Sequence, residues 1–201
     1  MVAMTSAEAT GVAVLVNGLP GAGTSTLSTA LSRALGLPLF SKDVIKEIHA
    51  ETLGSHAIGY SQRRWNSALG AAASTTMWAL LAQAPAGAVL ESSWRADVRE
   101  LALQGLSGAP HLRPVEVWCQ VPLQVARARL EARLLRHPIH GEQPGDTEWD
   151  SWHELARPLA LGPVLRVDTT ASVHIAAVAA QIADLAREGP AGRANTTSPR
   201  S

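Results

Sequence analysis

A glycine-rich segment near the start of the chain constrains its fold more than any other feature. Residues 18–25 have the sequence Gly-Leu-Pro-Gly-Ala-Gly-Thr-Ser and follow an apolar, β-branched run at residues 12–17. Leu27, Leu31 and Leu35 then recur at helical spacing, which predicts an amphipathic helix directly after the glycines. A strand, a tight loop and a helix in this order gather backbone N–H groups at a helix N-terminus, where they can bind an anion. The segment therefore predicts a phosphate-binding loop.

The residues of this loop have separate expected roles. Glycine permits positive φ angles and lets the backbone approach phosphate oxygens closely. The Ser25 hydroxyl is expected to bind Mg²⁺, and the Thr26 hydroxyl to lie near the phosphates. A glycine-rich turn without a ligand is the alternative, which the match of the glycines and the serine to the phosphate-loop pattern disfavours. The expected nucleotide-binding residues are Gly18, Gly21, Ala22, Gly23, Thr24, Ser25 and Thr26.

Thr24 departs from the phosphate-loop pattern G-x-x-x-x-G-K-[ST], which has lysine at this position. A threonine side chain is neutral and too short to bridge the β- and γ-phosphates. Backbone N–H groups and Mg²⁺ can still hold a diphosphate, so the loss affects phosphate transfer more than binding. We expect the rate to fall ~10²-fold or more unless another cation substitutes. Lys42 and Arg95 are the candidates for that substitution, and Lys46 is the only other lysine in the chain.

Short β-branched segments alternate with helical patterns along the chain, which predicts an α/β fold with a parallel sheet covered on both faces. The five expected strands cover residues 12–17, 38–41, 88–91, 114–120 and 164–168. The clearest helical patterns after the first lie at residues 60–84, 123–136 and 173–187, whereas residues 137–163 have no regular pattern. One domain over residues 11–188 is expected, between disordered tails at residues 1–10 and 189–201.

Charge and cysteine content narrow the class of protein. The 17 basic residues balance the 17 acidic residues, so no global field favours nucleic acid or an anionic membrane as a partner. No apolar stretch approaches the ~20 residues that span a bilayer, and no secretory signal precedes residue 11. The single cysteine, Cys119, cannot form an internal disulfide and is expected to be a buried core thiol. A cytoplasmic protein with a small-molecule substrate is expected, and no pattern indicates its oligomeric state.

Four further segments accompany the loop. Residues 39–47 have the sequence Leu-Phe-Ser-Lys-Asp-Val-Ile-Lys-Glu, and residues 89–95 have Val-Leu-Glu-Ser-Ser-Trp-Arg. An apolar strand at residues 117–122 leads into an arginine-bearing helix, and Val-Asp-Thr-Thr follows at residues 167–170. With these segments the chain resembles the small P-loop kinases of the zeta-toxin and chloramphenicol-phosphotransferase type, which include predicted ATP-dependent kinases of the AAA family. The resemblance implies a three-layer P-loop kinase-like fold with a parallel five-stranded sheet and a helical lid over about residues 127–160.

The resemblance also implies roles for individual residues. Asp43 takes the position of the acidic residue that faces the substrate hydroxyl and acts as general base; the alternative is that it only caps the following helix. Glu91 stands where the family more often has aspartate and would order Mg²⁺ through water, together with Ser25. Arg129 and Arg133 would close over the phosphates from the lid, although an ordinary solvated helix face also explains their spacing.

Three tryptophans lie in segments near the expected crevice. Trp94, Trp149 and Trp152 are candidates for an apolar wall against a bulky or aromatic substrate. Packing in the core is the alternative interpretation for all three. Together with Lys42 and Arg95, they make up the expected substrate-binding residues.

Three functions are compatible with these residues. The first is a kinase that uses ATP and Mg²⁺ to phosphorylate a hydroxyl group of a small molecule. The second is an enzyme that keeps the fold but has lost phosphoryl transfer, and whose loop N–H groups stabilise an oxyanion or enolate of a hydrophobic small molecule without any cofactor. The third is a non-catalytic, nucleotide-binding pseudokinase. Ser25, Thr26 and Asp43 favour phosphate chemistry, whereas Thr24 opposes it.

Overall fold

The computed structural model describes residues 11–132, 137–140 and 145–187. Within these ranges five strands form one sheet in the order β2-β3-β1-β4-β5, and every adjacent pair is parallel. The parallel five-stranded sheet confirms the predicted α/β fold. The strands are β1 (Gly11–Gly18), β2 (Leu39–Ser41), β3 (Gly87–Glu91), β4 (Leu112–Gln120) and β5 (Val164–Asp168).

Seven α-helices flank the sheet in the described part of the chain. None of the helices in these ranges combines the length and the apolar character that a bilayer span requires. Short 3-10 turns lie at Ala96–Val98 and Pro138–His140. The helices are α1 (Thr24–Leu35), α2 (Lys42–Leu53), α3 (Gln62–Ala82), α4 (Arg99–Ser107), α5 (Leu123–Glu131), α6 (Asp146–Leu155) and α7 (Ile175–Arg187).

The central strand, β1, separates two apolar cores. Val14 and Val16 belong to a cluster with residues of α1, α5 and α7, whereas Ala13 and Leu15 belong to a cluster with residues of α3 and α4. Successive side chains of a strand point to opposite faces of its sheet, so the apolar run of β1 is buried on both sides. The result is the three-layer arrangement of helices, sheet and helices that the alternating pattern predicted.

Helix α6 corrects the prediction that residues 137–163 are irregular. The prolines of this segment all lie outside residues 146–155, where they do not interrupt helical hydrogen bonds. Asp146 and Glu148 lie in the first turn, where the helix dipole favours negative charge, and the Trp149 side chain is buried. The prediction was wrong because it judged residues 137–163 by their overall proline and glycine content and did not consider the proline-free stretch within them.

Other boundaries agree with the predictions to within about two residues. The helix predicted at residues 123–136 is confirmed over Leu123–Glu131. Its predicted last turn, at residues 133–136, lies outside the described residues. The predicted tails at residues 1–10 and 189–201 lie outside them as well.

The carboxyl ends of β1, β2 and β3 meet at one edge of the sheet. The register pairs Ser41 of β2 with Glu91 of β3, and Glu91 in turn with Val16 of β1. Because the chain leaves all parallel strands at this edge, the residues that follow them surround a common crevice. The phosphate-loop residues and Asp43 therefore come together at this edge.

Candidate functional site

The glycine-rich loop leads from β1 directly into the N-terminus of α1. The N-cap residue is Gly23, with φ of 84°, and neither a side-chain cap nor an acidic first-turn residue occupies this helix end. The backbone N–H groups of Thr24, Ser25 and Thr26 lie in the first turn, where a helix has no carbonyl partners for them. These groups and the helix dipole favour an anion at this position.

Packing restricts the residue type at two glycines of the loop, and at one of them, Gly21, the backbone conformation does so as well. Gly21 has φ of 86°, and a Cβ at this position would lie 2.1 Å from the carbonyl oxygen of Ala126 in α5. A Cβ at Gly18 would lie 3.0 Å from the Cβ of Cys119 in β4. Any larger residue at Gly21 would therefore be strained and would displace the loop from α5.

The carboxylate of Glu91 accepts hydrogen bonds from three hydroxyl groups, which belong to two segments of the chain. Thr24 Oγ1 and Ser25 Oγ each donate to Glu91 Oε1 at 3.0 Å, and Ser41 Oγ donates to Oε2. Glu91 is 5% exposed and forms no ion pair with another residue of the described ranges. The hydroxyl donors therefore stabilise a carboxylate that burial would otherwise destabilise.

This donor set fits a hard divalent cation. Mg²⁺ prefers carboxylate and hydroxyl oxygens together with water and phosphate. Ser25 and Glu91, the two residues predicted to hold a metal, are in direct contact. In residues 11–132, 137–140 and 145–187 no cluster of three or more His, Cys, Asp or Glu side chains could hold a metal by itself. A Mg²⁺ ion here would therefore depend on water and nucleotide oxygens for most of its ligands.

The hydroxyl cluster opens into a cleft of about 910 Å³, which we call the loop cleft. Asp43 lines it and is exposed. Ser41 Oγ, not Asp43, accepts the capping hydrogen bond, from the N–H of Val44, at 3.5 Å. The loop cleft is lined by residues that include Gly21, Gly23, Thr24, Ser25, Thr26, Asp43, Lys46, Glu47, Glu91, Arg129 and Glu148.

A second cleft of about 1130 Å³ adjoins the first, and we call it the tryptophan cleft. Lys42, Trp94 and Arg95, which were predicted to bind substrate, line this cleft and not the loop cleft. Trp152 lines both. The residues shared by the two clefts are Pro20, Lys46, Ser93, Glu148 and Trp152.

The predicted tryptophans differ in position. Trp94 is 6% exposed and belongs to the core cluster of α3 and α4, but it also lines the tryptophan cleft and stacks on Trp78, with ring centroids 6.1 Å apart. Trp149 lines neither cleft: its side chain is buried, and its ring contacts Trp152 edge-on at a centroid distance of 5.1 Å. Trp149 therefore supports Trp152 from behind, which agrees with the packing alternative for this residue.

Of the two predicted lid arginines, Arg129 lies within the described residues and Arg133 does not. Arg129 lines the loop cleft, but its guanidinium also donates to the carbonyl oxygens of Thr169 and Thr170, each at 2.9 Å. These bonds join α5 to the loop that follows β5. A role for Arg129 on phosphate stays a prediction, and Arg133 lies outside the described residues.

His140, the last residue of the short turn Pro138–His140, lines the loop cleft. Ile139 is fully buried against Ala50 and Leu69, and His140 Nε2 lies 2.7 Å from Glu47 Oε1. These contacts attach this segment to α2 and α3. The wall is thus assembled from elements that are far apart in the sequence.

Lys46 is a site residue that the sequence interpretation did not select. It lines both clefts. Burial lowers the pKa of its ammonium group, while Asp43 acts in the opposite direction. Its position three residues after Asp43 and four after Lys42 places the three side chains near one another on a helix, so spacing could have indicated it.

Asn17 is a second residue that the sequence interpretation missed. Its Oδ1 accepts from the N–H groups of Gly18 at 2.8 Å and Trp94 at 2.9 Å, and its Nδ2 donates to Glu116 Oε1 at 3.0 Å. The sequence indicated its importance only by placing an amide side chain at the end of an otherwise apolar strand. The structure shows that this side chain is fully buried, so its polar atoms need hydrogen-bond partners. Asn17 thereby couples the start of the loop to the tryptophan cleft.

Cys119 is buried, as predicted. Burial raises the pKa of its thiol to about 12, and the negative charge of Glu91 contributes in the same direction. The thiol is therefore neutral at ordinary pH and unsuited to act as a nucleophile.

Comparisons with known proteins agree with this geometry. The family model AAA_33, an AAA domain, matches residues 14–159. A proposed kinase from Chloroflexus aurantiacus j-10-fl has a similar structure, with a TM-score of 0.73 and 29% identity over 87% of this chain and 98% of that chain. No curated protein matches the chain significantly.

Two named kinases share the fold at lower identity. A gluconokinase from Sinorhizobium meliloti 1021 has a TM-score of 0.51 and 20% identity, over 90% of this chain and 95% of that chain. The APS kinase of Mycobacterium tuberculosis has a TM-score of 0.54 and 21% identity, over 87% of this chain and 96% of that chain. The predicted P-loop kinase-like fold is confirmed.

Proposed function

This chain belongs to the AAA domain family AAA_33, and we propose that it transfers the terminal phosphate of a nucleoside triphosphate, nominally ATP, to a hydroxyl group of a small molecule. The observation that carries the proposal is the hydroxyl cluster of Thr24, Ser25 and Ser41 on Glu91, in a cleft that Asp43 also lines. Kinases that are named for small molecules share this fold.

The first turn of α1 would bind the nucleotide phosphates. Its N–H groups lack helical partners, and no acidic side chain competes for them. Ser25 would hold Mg²⁺ directly and Glu91 would hold it through water. A bound Mg²⁺–nucleotide supplies the phosphoryl group and neutralises part of the negative charge on the phosphates.

Asp43 would accept the proton of the attacking hydroxyl. Since Ser41 caps α2, the Asp43 carboxylate is not needed for capping. An exposed carboxylate that lines the loop cleft has the position required of a general base.

The loop supplies no cation at residue 24, so we propose that transfer is slow. The Thr24 hydroxyl donates to Glu91 and brings no positive charge towards the phosphates. Lys46 and Arg129 are the lysine and arginine side chains of the described residues that line the loop cleft. Lys46 is the better substitute, because the Arg129 guanidinium already binds two carbonyl oxygens.

A nucleotide-binding protein without phosphate transfer is the second candidate. Thr24 favours it, because the cation that offsets charge in the transition state is missing while the backbone site for phosphates remains. Binding measurements alone do not separate the two candidates, whereas transfer of phosphate to an acceptor does.

Calorimetric titration of the purified full-length chain with ATP and GTP, with and without Mg²⁺, tests the proposal. We expect Mg²⁺-dependent binding that weakens about tenfold or more in Ser25→Ala. Ser32→Ala, on the same helix but outside both clefts, is the matched control and should bind as the wild type does. Absence of nucleotide binding would contradict the proposal and support an enzyme that needs no nucleotide. Binding without transfer to any hydroxyl compound would support the pseudokinase.

A further inference from the structure

The tryptophan cleft and the loop cleft differ in the sign of their charge. Among described residues, the tryptophan cleft is lined by four cationic side chains and by one carboxylate, that of the exposed Glu148. The loop cleft has the opposite balance, with four carboxylates against Lys46 and Arg129. The cations of the tryptophan cleft are Lys42, Lys46, Arg63 and Arg95, and the carboxylates of the loop cleft are Asp43, Glu47, Glu91 and Glu148.

Among the described residues, three of the four cations in the tryptophan cleft make no direct ion pair, although the nearby Asp43 carboxylate acts on Lys42 and Lys46. Lys42, Lys46 and Arg63 form no ion pair with the residues that the structure describes. Arg95 is the exception, because its guanidinium lies 2.8 Å from the Asp97 carboxylate. Three positive charges around one cavity repel each other, and an anion within the cavity would relieve that repulsion.

The environment of Lys42 indicates that a bound anion would be energetically favourable in this cleft. The side chain is partly buried, and burial lowers the pKa of its ammonium group; Asp43 acts in the opposite direction and Arg95 in the same direction as burial. An ammonium group in this environment lacks part of its hydration and gains from a bound anion. The proposed base and loop chemistry do not require Lys42, so its charge is available for a ligand.

Rigid aromatic surface forms another part of the same cavity. Trp94, Trp118 and Trp152 line it. The Trp94 ring stacks on Trp78 and the backbone N–H of Trp94 donates to Asn17 Oδ1, while the Trp152 ring packs edge-on against Trp149. Rings that are already ordered lose little entropy when a ligand packs on them. The wall suits a planar or apolar part of a ligand.

We propose that the tryptophan cleft binds the phosphate acceptor, and that this acceptor is an alcohol carrying an anionic group, a carboxylate, phosphate or sulfate, on a planar or apolar framework. Lys42 and Arg63 bind the anionic group, and the tryptophans contact the framework. The inference rests on the proposed function, since the acceptor hydroxyl has to reach the nucleotide across the residues that the two clefts share, such as Lys46 and Ser93.

Nucleotide phosphates do not account for the charge of the tryptophan cleft. The first turn of α1, Thr24 to Thr26, lines only the loop cleft. The nucleotide therefore has a separate anion site, and the cations contributed by α2, α3 and the segment after β3 serve another ligand.

Binding of matched anionic and neutral alcohols to the full-length chain tests the inference. The pairs are 4-(hydroxymethyl)benzoate with 4-(hydroxymethyl)benzamide, gluconate with glucose, and glycerol 3-phosphate with glycerol. Binding is followed without nucleotide by tryptophan fluorescence and by calorimetry. We expect the anionic member of at least one pair to bind about tenfold more tightly than its neutral partner, and the chemistry of that pair distinguishes a carboxylate from a phosphate.

Arg63→Gln should weaken binding of that anion about tenfold. Arg64→Gln is the matched control, because it removes the same charge from the next residue of α3. The Arg64 guanidinium lies over the Tyr60 ring, and Arg64 lines neither cleft. Equal losses in the two variants would overturn the inference, since they would indicate a non-local charge effect.

Two further outcomes would overturn it: equal affinities within every pair, or no binding of any of the three anions up to about 10 mM. The proposed function is judged separately by the Mg²⁺–ATP titration, which Arg63→Gln should leave unchanged. A wild-type chain that binds anionic alcohols but no nucleotide would contradict the proposed function and not the anion site.

Discussion

Thr24 and Glu91 are 67 residues apart in the sequence and are joined by a hydrogen bond of 3.0 Å from Oγ1 to Oε1. Thr24 stands where the phosphate-loop pattern has lysine, and the residue is 7% exposed. Ser25 and Ser41 donate to the same carboxylate. The residue that would carry a cation in the usual pattern is thus one of three hydroxyl donors to a buried carboxylate.

Replacing Thr24 with lysine should accelerate nucleotide turnover. A lysine here places a positive charge at the N-terminus of α1, where charge develops on the transferring phosphate, so we expect ADP release to rise ~10²-fold. Thr24→Ser keeps the hydroxyl and should leave the rate unchanged. An unchanged rate in Thr24→Lys would show that another cation, of which Lys46 is the candidate, already fills the role.

Replacing Asp43 with asparagine should impair transfer and not nucleotide binding. We expect phosphate transfer from radiolabelled ATP to an anionic alcohol to fall ~10²- to 10⁴-fold, because the proton acceptor is lost. The affinity for Mg²⁺–ATP should be unchanged. Glu51→Gln removes the same charge from an exposed residue of α2 that lines neither cleft. Equal transfer rates in the two variants would exclude Asp43 as the base.

Replacing Glu116 with glutamine should destabilise the fold. Glu116 is 2% exposed and accepts from Asn17 Nδ2 and from the N–H groups of Leu159 and Ala160. An amide NH₂ cannot accept these bonds, so we expect a loss of about 2–3 kcal/mol in the free energy of unfolding, measured with urea. Glu100→Gln on the exposed face of α4 should change it by less than about 0.5 kcal/mol. Similar values for both variants would refute the role of Glu116.

Cys119 should make stability depend on alkaline pH. Burial raises the pKa of its thiol from the ordinary 9.0 to about 12. The pKa of the thiol is therefore higher in the folded state than in the unfolded state. The stability that this group contributes is complete below about pH 9 and is lost as the pH rises towards about 12. Urea unfolding should show the wild type losing stability relative to Cys119→Ala over this range. Rapid labelling of the folded thiol at pH 8 would contradict the prediction.

Local features of the sequence were sufficient for most of the fold. The five strands were predicted because β-branched apolar runs end at glycine, proline or polar residues, and both signals act within a few residues. The loop and the N-terminus of α1 were predicted from signals that are just as local, the glycine-rich segment and the helical spacing of the leucines that follow it. Helix α6 was not, because its ten residues lie between prolines that made the surrounding segment look irregular.

The candidate site was predicted less completely than the fold. Ser25, Asp43 and Glu91 were selected and do line one cleft. Trp149 was selected with Trp152, yet only Trp152 faces the clefts, because both rings lie on a helix whose rotation is set by its packing. Arg63 and Asn17 acquire their importance from neighbours on other elements, and single-residue chemistry did not distinguish them.

The sequence by itself determined the five strands, most of the helices between them, the phosphate loop and the presence of threonine in place of lysine, because these depend on local spacing and residue type. Only the tertiary structure decided that Glu91 binds Thr24, and that Lys42 and Arg63 line one cavity. Such contacts join residues far apart in the chain and leave no periodic signal in it. The separation of acidic and basic clefts, on which the proposed substrate class depends, is therefore a property of the folded chain.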